Sequence, residues 1–284
     1  MTFDSIDEDL LEREGEEPWE LYHENSKTSR HERRSAFALP PSDASVVRVM
    51  KRLRTVKPYR DRPKIPLPTE LPSAEKSLDE VMVGRTTARV FGPGEIGFEQ
   101  LAKVLYMGYG LIRDNAGTPY PRPFRAVPSG GALYPLEIYL HATRVRGLSP
   151  GLYHYDPEDE TLDVLRPRDE SAAIAGCMIQ RDLAADAAAI LLVSAIFLRS
   201  TFKYGDRGYR FVLLEAGHVC QNATLSAQEM GLATAPVGGY LDRDLDRHLG
   251  FDGLTESVVY VLLIGQPAHG AAPRQGEPDD ATVQ

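Results

Sequence analysis

The sequence predicts an α+β fold, a modest central sheet flanked by helices. Three observations predict it. Ile190–Phe197 is an apolar run of central-strand length, and Val258–Ile264 repeats the pattern. Arg210–Gly231 carries one apolar stripe at helical spacing, from Val212, Leu213 and Ala216 through Val219, Cys220, Ala223 and Ala227 to Met230, and Gly231 stops it. Gly151–Tyr155 and Thr161–Leu165 alternate and close as a hairpin around Asp156–Glu160.

The remaining elements follow in order. Residues 1–76 predict an N-terminal arm, partly extended, that docks a partner or wraps a dimer. Met1 to about Ser35 is charged, with Trp19 and Leu21-Tyr22 as anchors. Pro40, Pro41, Pro58, Pro63, Pro66, Pro68 and Pro72 then exclude long helices, Val46–Leu53 excepted. Residues 77–274 predict the packed domain. Ser77-Leu78-Asp79-Glu80 has the form of a capping box, so a helix starts there and runs into Val83. Phe98, Leu101, Ala102, Val104 and Leu105 are spaced for a helix that ends at Gly108-Tyr109-Gly110. Leu136–His141 alternates as a strand does. Residues 275–284 read as a flexible tail.

Composition narrows the function. A chain of 284 residues, 42% hydrophobic and 26% charged, buries a substantial core. Its net charge of −9 argues against non-specific nucleic-acid binding, while leaving room for a local basic pocket. Cys177 and Cys220 have neither CxxC nor Cys/His spacing, and His154, His218 and His248 lack ligand spacing, so no metal site is expected. Asp4, Asp7, Glu8 and Asp9 are the opposite of a signal-peptide start, and Ala187–Leu198 is too short to span a membrane. A cytoplasmic protein is expected.

Three constellations carry chemistry. Arg85-Thr86-Thr87-Ala88-Arg89 puts two guanidiniums on one face of a helix or of a strand, with hydroxyls between them. Such a set suits a phosphate monoester, although two solvated arginines would give the same pattern. Arg125–Ala132 contains Pro128-Ser129-Gly130-Gly131, small residues that let backbone amides approach a flat ring. A plain Gly-Gly turn is the alternative. Phe202–Arg210 is expected to be a loop between the central strand and the long helix. There Lys203 stands beside Tyr204, and neighbouring cations with desolvation would lower its pKa toward that of a base. A charged linker that caps the helix fits equally well.

Taken together, "RTTARVF", "RAVPSGGALYPLEIYL", "GLYHYDP", "KYGDRGYRFVLLEAGHVCQNATLSAQEMGL" and "PVGGYLD", with the upstream "LYHENSK", resemble the SagB-type dehydrogenases over about Tyr22 to Arg274. These are nitroreductase-fold flavoproteins that oxidise thiazolines and oxazolines to azoles. The resemblance implies a nitroreductase fold with a mixed or antiparallel sheet, and a homodimer with FMN at its interface. It assigns Arg85, Thr86, Thr87 and Arg89 to the phosphate and ribityl region. Thr87 stands where Ser is commoner, and the hydroxyl is kept. Pro128, Ser129, Gly130 and Gly131 fall to the isoalloxazine loop, Gly238 and Gly239 to a second glycine pair near the flavin, and Arg274 to a late phosphate contact. Lys203 and Tyr204 match the family's Lys-Tyr pair, one acting on the ring proton and the other positioning it, with hydride passing to flavin N5 and dioxygen reoxidising the flavin. The substrate is a peptide presented by a cyclodehydratase complex or by a nonribosomal carrier protein. A generic NAD(P)H-dependent nitroreductase or quinone reductase, or a non-catalytic flavin- or peptide-binding scaffold, are the other readings.

Overall fold

The computed structural model describes residues 17–28, 44–53, 55–115, 117 and 122–268. Arg274 and the tail therefore lie outside the described residues. The chain begins with α1 (Pro18–Asn25), where Pro18 takes the first turn and the Glu20 carboxylate accepts from the Glu17 amide at 3.1 Å. Helix α2 (Ala44–Arg52) follows, then strand β1 (Lys64–Pro66). β1 lies at the sheet edge, where its proline leaves no central ladder bond unmade.

Helix α3 (Leu78–Gly84) starts on the expected box: the Ser77 hydroxyl accepts from the Glu80 amide at 3.3 Å, and the Glu80 carboxylate accepts from the Ser77 amide at 2.8 Å. Short strands β2 (Phe91–Gly92) and β3 (Ile96–Gly97) lead into α4 (Phe98–Tyr109), which ends at Gly110 as its spacing predicts. Strands β4 (Leu111–Arg113) and β5 (Phe124–Arg125) form a small ladder before β6 (Leu136–Ala142). After β7 (Val145–Arg146) comes the predicted hairpin, β8 (Gly151–Asp156) and β9 (Thr161–Arg166). The chain continues through α5 (Ser171–Gly176), α6 (Arg181–Ala185), β10 (Ala189–Ile196), α7 (Leu198–Tyr204) and α8 (Arg207–Glu229). It closes with β11 (Ala233–Val237), α9 (Asp242–Leu249) and β12 (Glu256–Pro267).

The main sheet runs β1-β9-β8-β6-β10-β12-β11, with β2 pairing to β12, and its ladders are antiparallel. It separates two cores. Leu191 and Val193 of β10 pack with Leu101, Leu105, Val212 and Val219, the α4–α8 side. Ile190 and Leu192 point the other way, onto Ile174, Ala184 and Leu245 of α5, α6 and α9. This is the α+β architecture expected, a sheet flanked by helices.

Two details differ from the sequence pattern. β6 reads as alternating, yet all seven of its residues are buried, because packing covers both faces of the sheet and Arg199 and His154 pair with Glu137. Leu213, counted in the apolar stripe of α8, is exposed with Leu214 on the outer face of that helix. Cys177 and Cys220 are free and buried. No described helix is long and apolar enough to cross a membrane, and no described cluster of three His, Cys, Asp or Glu is placed to hold a metal.

Candidate active site

Lys203 and Tyr204 stand in the last turn of α7 rather than in a loop. Sequence reasoning gave too much weight to the charged residues here. Burial of the short helix overrides them, and only Gly205 (φ 54°) and Asp206 separate α7 from α8. The elbow is tight. A Cβ on Gly208 would stand 2.9 Å from the Thr201 Cα, and the Ser200 hydroxyl donates to the Gly208 carbonyl at 3.1 Å.

The elbow is pinned from several directions. Arg199, one turn before Lys203, places a guanidinium nitrogen 2.6 Å from the Glu137 carboxylate on β6. Glu137 reaches His154 at 2.7 Å, and the other ring nitrogen of His154 is 3.0 Å from Asp163. All four side chains are buried. Burial disfavours the charged imidazole, but the hydrogen bonds to Asp163 and Glu137 outweigh it and hold His154 above the ordinary histidine range. Burial likewise opposes ionised Glu137, and Arg199 with His154 overcomes it, so this carboxyl is held low.

From the N-terminal side, the Tyr22 hydroxyl donates to the Asp206 carbonyl at 3.2 Å. Arg207 donates to the Ser26 carbonyl at 3.1 Å, and Arg210 to the Ser26 hydroxyl at 2.8 Å. Met50 of α2 packs with Leu133, Phe202 and Tyr204. Met50 also lines a cavity of about 860 Å³ whose other walls include Lys57, Tyr59, Arg60, Lys64 and Asp156.

The Pro128–Gly131 loop meets this elbow. A Cβ built on Gly131 would lie 2.6 Å from the Tyr204 hydroxyl and 2.8 Å from the Lys203 ammonium nitrogen, and Gly131 has a φ of 66°, so a side chain there would be strained and would displace the ends of both side chains. Gly130 lies against Phe211, which packs edge-on to Tyr204 at 4.9 Å between ring centroids. The Lys203 nitrogen is 5.0 Å from the centre of the Tyr204 ring. Ser129, Gly130, Gly131, Lys203 and Tyr204 therefore form one cluster. Lys203 is only 5% exposed, whereas Pro128, Gly130 and Gly131 face outward.

The arginine segment lies elsewhere. Arg85 is the extended residue that ends α3, and the chain to Arg89 is irregular, so the two arginines share neither a helix face nor a strand face. Arg85 donates to the Thr87 hydroxyl at 3.2 Å. Thr87 forms a parallel bridge with Thr234, whose buried hydroxyl has no hydrogen-bond partner among the described residues. Gln228, near the end of α8, brackets Thr86 by donating to its carbonyl at 3.0 Å and accepting from its amide at 3.4 Å. Phe211 and Gln228 are about 25 Å apart along the helix axis. The loop–elbow cluster and the arginine segment thus occupy opposite ends of α8.

Gly238 and Gly239 are exposed at the end of β11, about 13 Å along the strand from Thr234. The Gly239 carbonyl accepts from Ile179, and a Cβ on Gly238 would meet open space.

Glu215 is a buried residue that the sequence reading missed. Its signal was a carboxylate on the apolar face of a helix, three residues after Val212 and four before Val219. It accepts from the Tyr109 hydroxyl at 3.0 Å, and burial pushes its carboxyl up to about 7.

The sequence profile of the nitroreductase family matches residues 82–266. A nitroreductase-type protein of Methanocaldococcus jannaschii is 33% identical over 177 residues, spanning 62% of this chain and 86% of its own length. The microcin B17-processing protein McbC of Escherichia coli is 32% identical over 155 residues, 50% of this chain and 54% of McbC. The trifolitoxin-processing protein TfxB of Rhizobium leguminosarum bv. trifolii is 25% identical over 219 residues, 73% of this chain and 58% of TfxB. The chain thus spans little more than half the length of the two processing proteins. Among solved structures, a nitroreductase-type protein of Ralstonia eutropha superposes with a TM-score of 0.60 at 23% identity, covering 76% of this chain and 94% of that one. A chain of the E. coli microcin synthetase McbBCD complex with truncated pro-MccB17 superposes with a TM-score of 0.53 at 22% identity, covering 87% and 86%.

Proposed function

The chain belongs to the nitroreductase family, whose members typically bind flavin, and from that premise we propose that it is an FMN-dependent dehydrogenase that oxidises thiazoline or oxazoline rings within a peptide to thiazoles or oxazoles. The observation that carries this reading is the convergence of the Lys203 nitrogen and the Tyr204 hydroxyl on the bare Cα of Gly131. A reductase fed by a nicotinamide needs no such base pair.

Two local features support the fit of FMN. Gly131 meets Lys203 and Tyr204 without a side chain of its own, and the exposed Pro128, Gly130 and Gly131 offer backbone that a flat ring could approach. At the other end, Arg85, Thr86, Thr87 and Arg89 supply cations and hydroxyls, and the buried Thr234 hydroxyl beside Thr87 lacks a partner among the described residues. Gly238 and Gly239, exposed at the end of β11, and Arg274, a further phosphate ligand, complete the set in this proposal. The span between the two ends of α8 exceeds the length of one FMN. One chain therefore holds two half-sites, and a homodimer supplies the complement. Exposed Leu213 and Leu214 offer an apolar face for it.

In the reaction, the azoline Cα–H is acidified by the adjacent imine and carbonyl. Lys203 or Tyr204 takes that proton while the other orients it, the choice being open. FMN, when bound, supplies a hydride acceptor at N5 for the Cβ hydrogen and is regenerated most simply by dioxygen. The ring loses two hydrogens and becomes aromatic. The buried Arg199–Glu137 pair fixes α7, and hence the angle at which Lys203 meets the loop. The cavity beside Met50 gives room for peptide flanking the ring, which a cyclodehydratase complex or a nonribosomal carrier protein presents.

An absorbance spectrum with mass identification of the released flavin tests the cofactor. A heterocyclised peptide that loses two hydrogens on incubation tests the reaction. Lys203→Ala is expected to bind FMN and fail to turn over; azole formation by this variant would sink the assignment. The name of the M. jannaschii relative favours a second reading, an NAD(P)H-dependent nitroreductase. Steady NADPH oxidation with a nitroaromatic acceptor, without azole formation, would support that reading instead.

A further inference from the structure

Helix α8 begins against the usual rule. The N-terminus of a helix carries partial positive charge and unpaired amides, and it favours acidic or hydroxyl side chains. The first turn of α8 instead holds Arg207 and Arg210 and no acidic residue, and the Asp206 side chain before it caps no amide among the described residues. Two cations at that end are destabilising unless opposite charge meets them. What meets them is the C-terminus of α1, the end of a helix that carries partial negative charge. Arg207 donates to the Ser26 carbonyl at 3.1 Å, and Arg210 donates to the His23 carbonyl and, at 2.8 Å, to the Ser26 hydroxyl. The Tyr22 hydroxyl donates to the Asp206 carbonyl at 3.2 Å, and its ring stands edge-on to Tyr209 at 5.4 Å between centroids.

Apolar burial contributes little to this docking. None of the eight residues of α1 is buried, and the buried residue of the contact is Ser26, its C-terminal cap. A helix of two turns does not persist by itself in water, so polar contacts at its C-terminus have to place it. What α1 grips is the end of α7, since only Gly205 and Asp206 stand between Tyr204 and Arg207. The same N-terminal segment reaches the rest of α7. The Thr55 carbonyl accepts from Arg199 in its first turn at 3.4 Å, and Met50 packs against Phe202 and Tyr204. This helix of seven residues is therefore bracketed at its start, its middle and its end.

We propose that α1 serves as the cap that α8 lacks and thereby sets the α7–α8 elbow, with Tyr22, Ser26, Arg207 and Arg210 as positioning residues for Lys203 and Tyr204. With α1 docked, both guanidiniums are paired and the elbow is clamped between Ser26 on one side and Gly131 on the other. With α1 lifted, two cations are left at the positive end of α8, its first turn frays, and Lys203 loses its fixed angle to Gly131. That the elbow carries the proton acceptor rests on the proposed function; the clamp itself does not.

Trp19 is the single tryptophan of the chain and lies on α1, so the anisotropy of its emission in the full chain reads the docking. Arg207→Gln/Arg210→Gln is expected to lower that anisotropy. It should also raise the acetylation rate of Lys203, 5% exposed with α1 docked, about fivefold by mass spectrometry. Tyr22→Ala makes the same test from the α1 side and should reproduce both shifts, so it decides if the double variant does not fold. In azoline oxidation each variant should lose about tenfold in kcat with KM unchanged, the split expected when a proton acceptor is misplaced and substrate binding is not. Tyr22→Phe keeps the ring contact with Tyr209 and should recover most of the Tyr22→Ala loss. Unchanged anisotropy, or lowered anisotropy with Lys203 acetylated at the wild-type rate, overturns the proposal. A wild type that forms no azole while the variants show both shifts loses the oxidase reading and keeps the clamp. A wild type that forms azoles, with variants that match its kcat, loses the clamp alone.

Discussion

The two ends of α8 are built on different principles. At the start of the helix, α7, α1, α2 and the Pro128–Gly131 loop all close on the elbow, through Gly208, Ser26, Met50 and Phe211. At its other end Glu229 pairs with the buried Lys103 of α4, residues 75 and 76 bond to Glu229 and Gln228, and the arginine segment is held to Gln228 by two hydrogen bonds with Arg89 at the surface. In the proposed function the contrast follows from what each end would do. A proton acceptor works only within a narrow geometry, and here its helix is held by buried charge and met by a glycine at φ 66°. A phosphate is recognised by charge and by donors on adaptable side chains, and an open edge serves for that.

This contrast can be broken. The largest effect is expected at the buried end. Arg199→Met leaves Glu137 buried without its strongest partner and should lower the unfolding free energy by about 3–5 kcal/mol in urea denaturation. A change near zero would mean that the elbow is not held by this pair. Gly131→Ala comes next. The added methyl meets Lys203 and Tyr204 and adopts an unfavourable φ, so azole formation should fall about 100-fold, near 2.7 kcal/mol, while circular dichroism stays unchanged. At the open end Arg85→Ala should be milder, weakening FMN binding about tenfold in a fluorescence titration with no loss of thermal stability. Equal damage to stability from Arg85→Ala would erase the distinction between the ends.

The smallest effect is a dependence on pH. Because His154 is held above its unfolded value, its contribution is complete below the ordinary histidine range and is lost as pH rises through the folded value. Glu215, raised to about 7, acts in the same direction: its protonated form is favoured in the fold, so stability declines between its unfolded value and 7. Unfolding measurements from about pH 5 to 9 should show a decline, and His154→Gln should remove its upper part only. A profile unchanged by that substitution would mean that His154 is neutral in the fold.

The sequence was legible where one period ruled a long segment. α4, the β8–β9 hairpin, β10 and most of α8 follow from spacing, and the Ser77 box marks a helix start. It misled where pairing reversed a local signal. Charged Lys203, Asp206 and Arg207 look like a loop until Arg199 is seen to bury its charge against Glu137. Glu137 and His141 give β6 an alternating look although both faces are covered. β11 contains Pro236, which spoils a strand signal but is tolerated at the edge of this sheet. The site was legible as residue types and not as distances. Nothing local in Arg85–Arg89 reveals that it stands at the far end of a helix from Lys203, and Glu215 declares itself only through Tyr109.

In the proposed homodimer helix α8 would carry a half-site at each end, and that would have a genetic consequence. A chain damaged at the elbow and a chain damaged at Arg85 carry their faults in different halves. Paired together, they concentrate both faults in one composite site and leave the other composed wholly of intact halves. Two inactive alleles would then complement each other, and the mixed dimer would keep one working centre where neither parent has any.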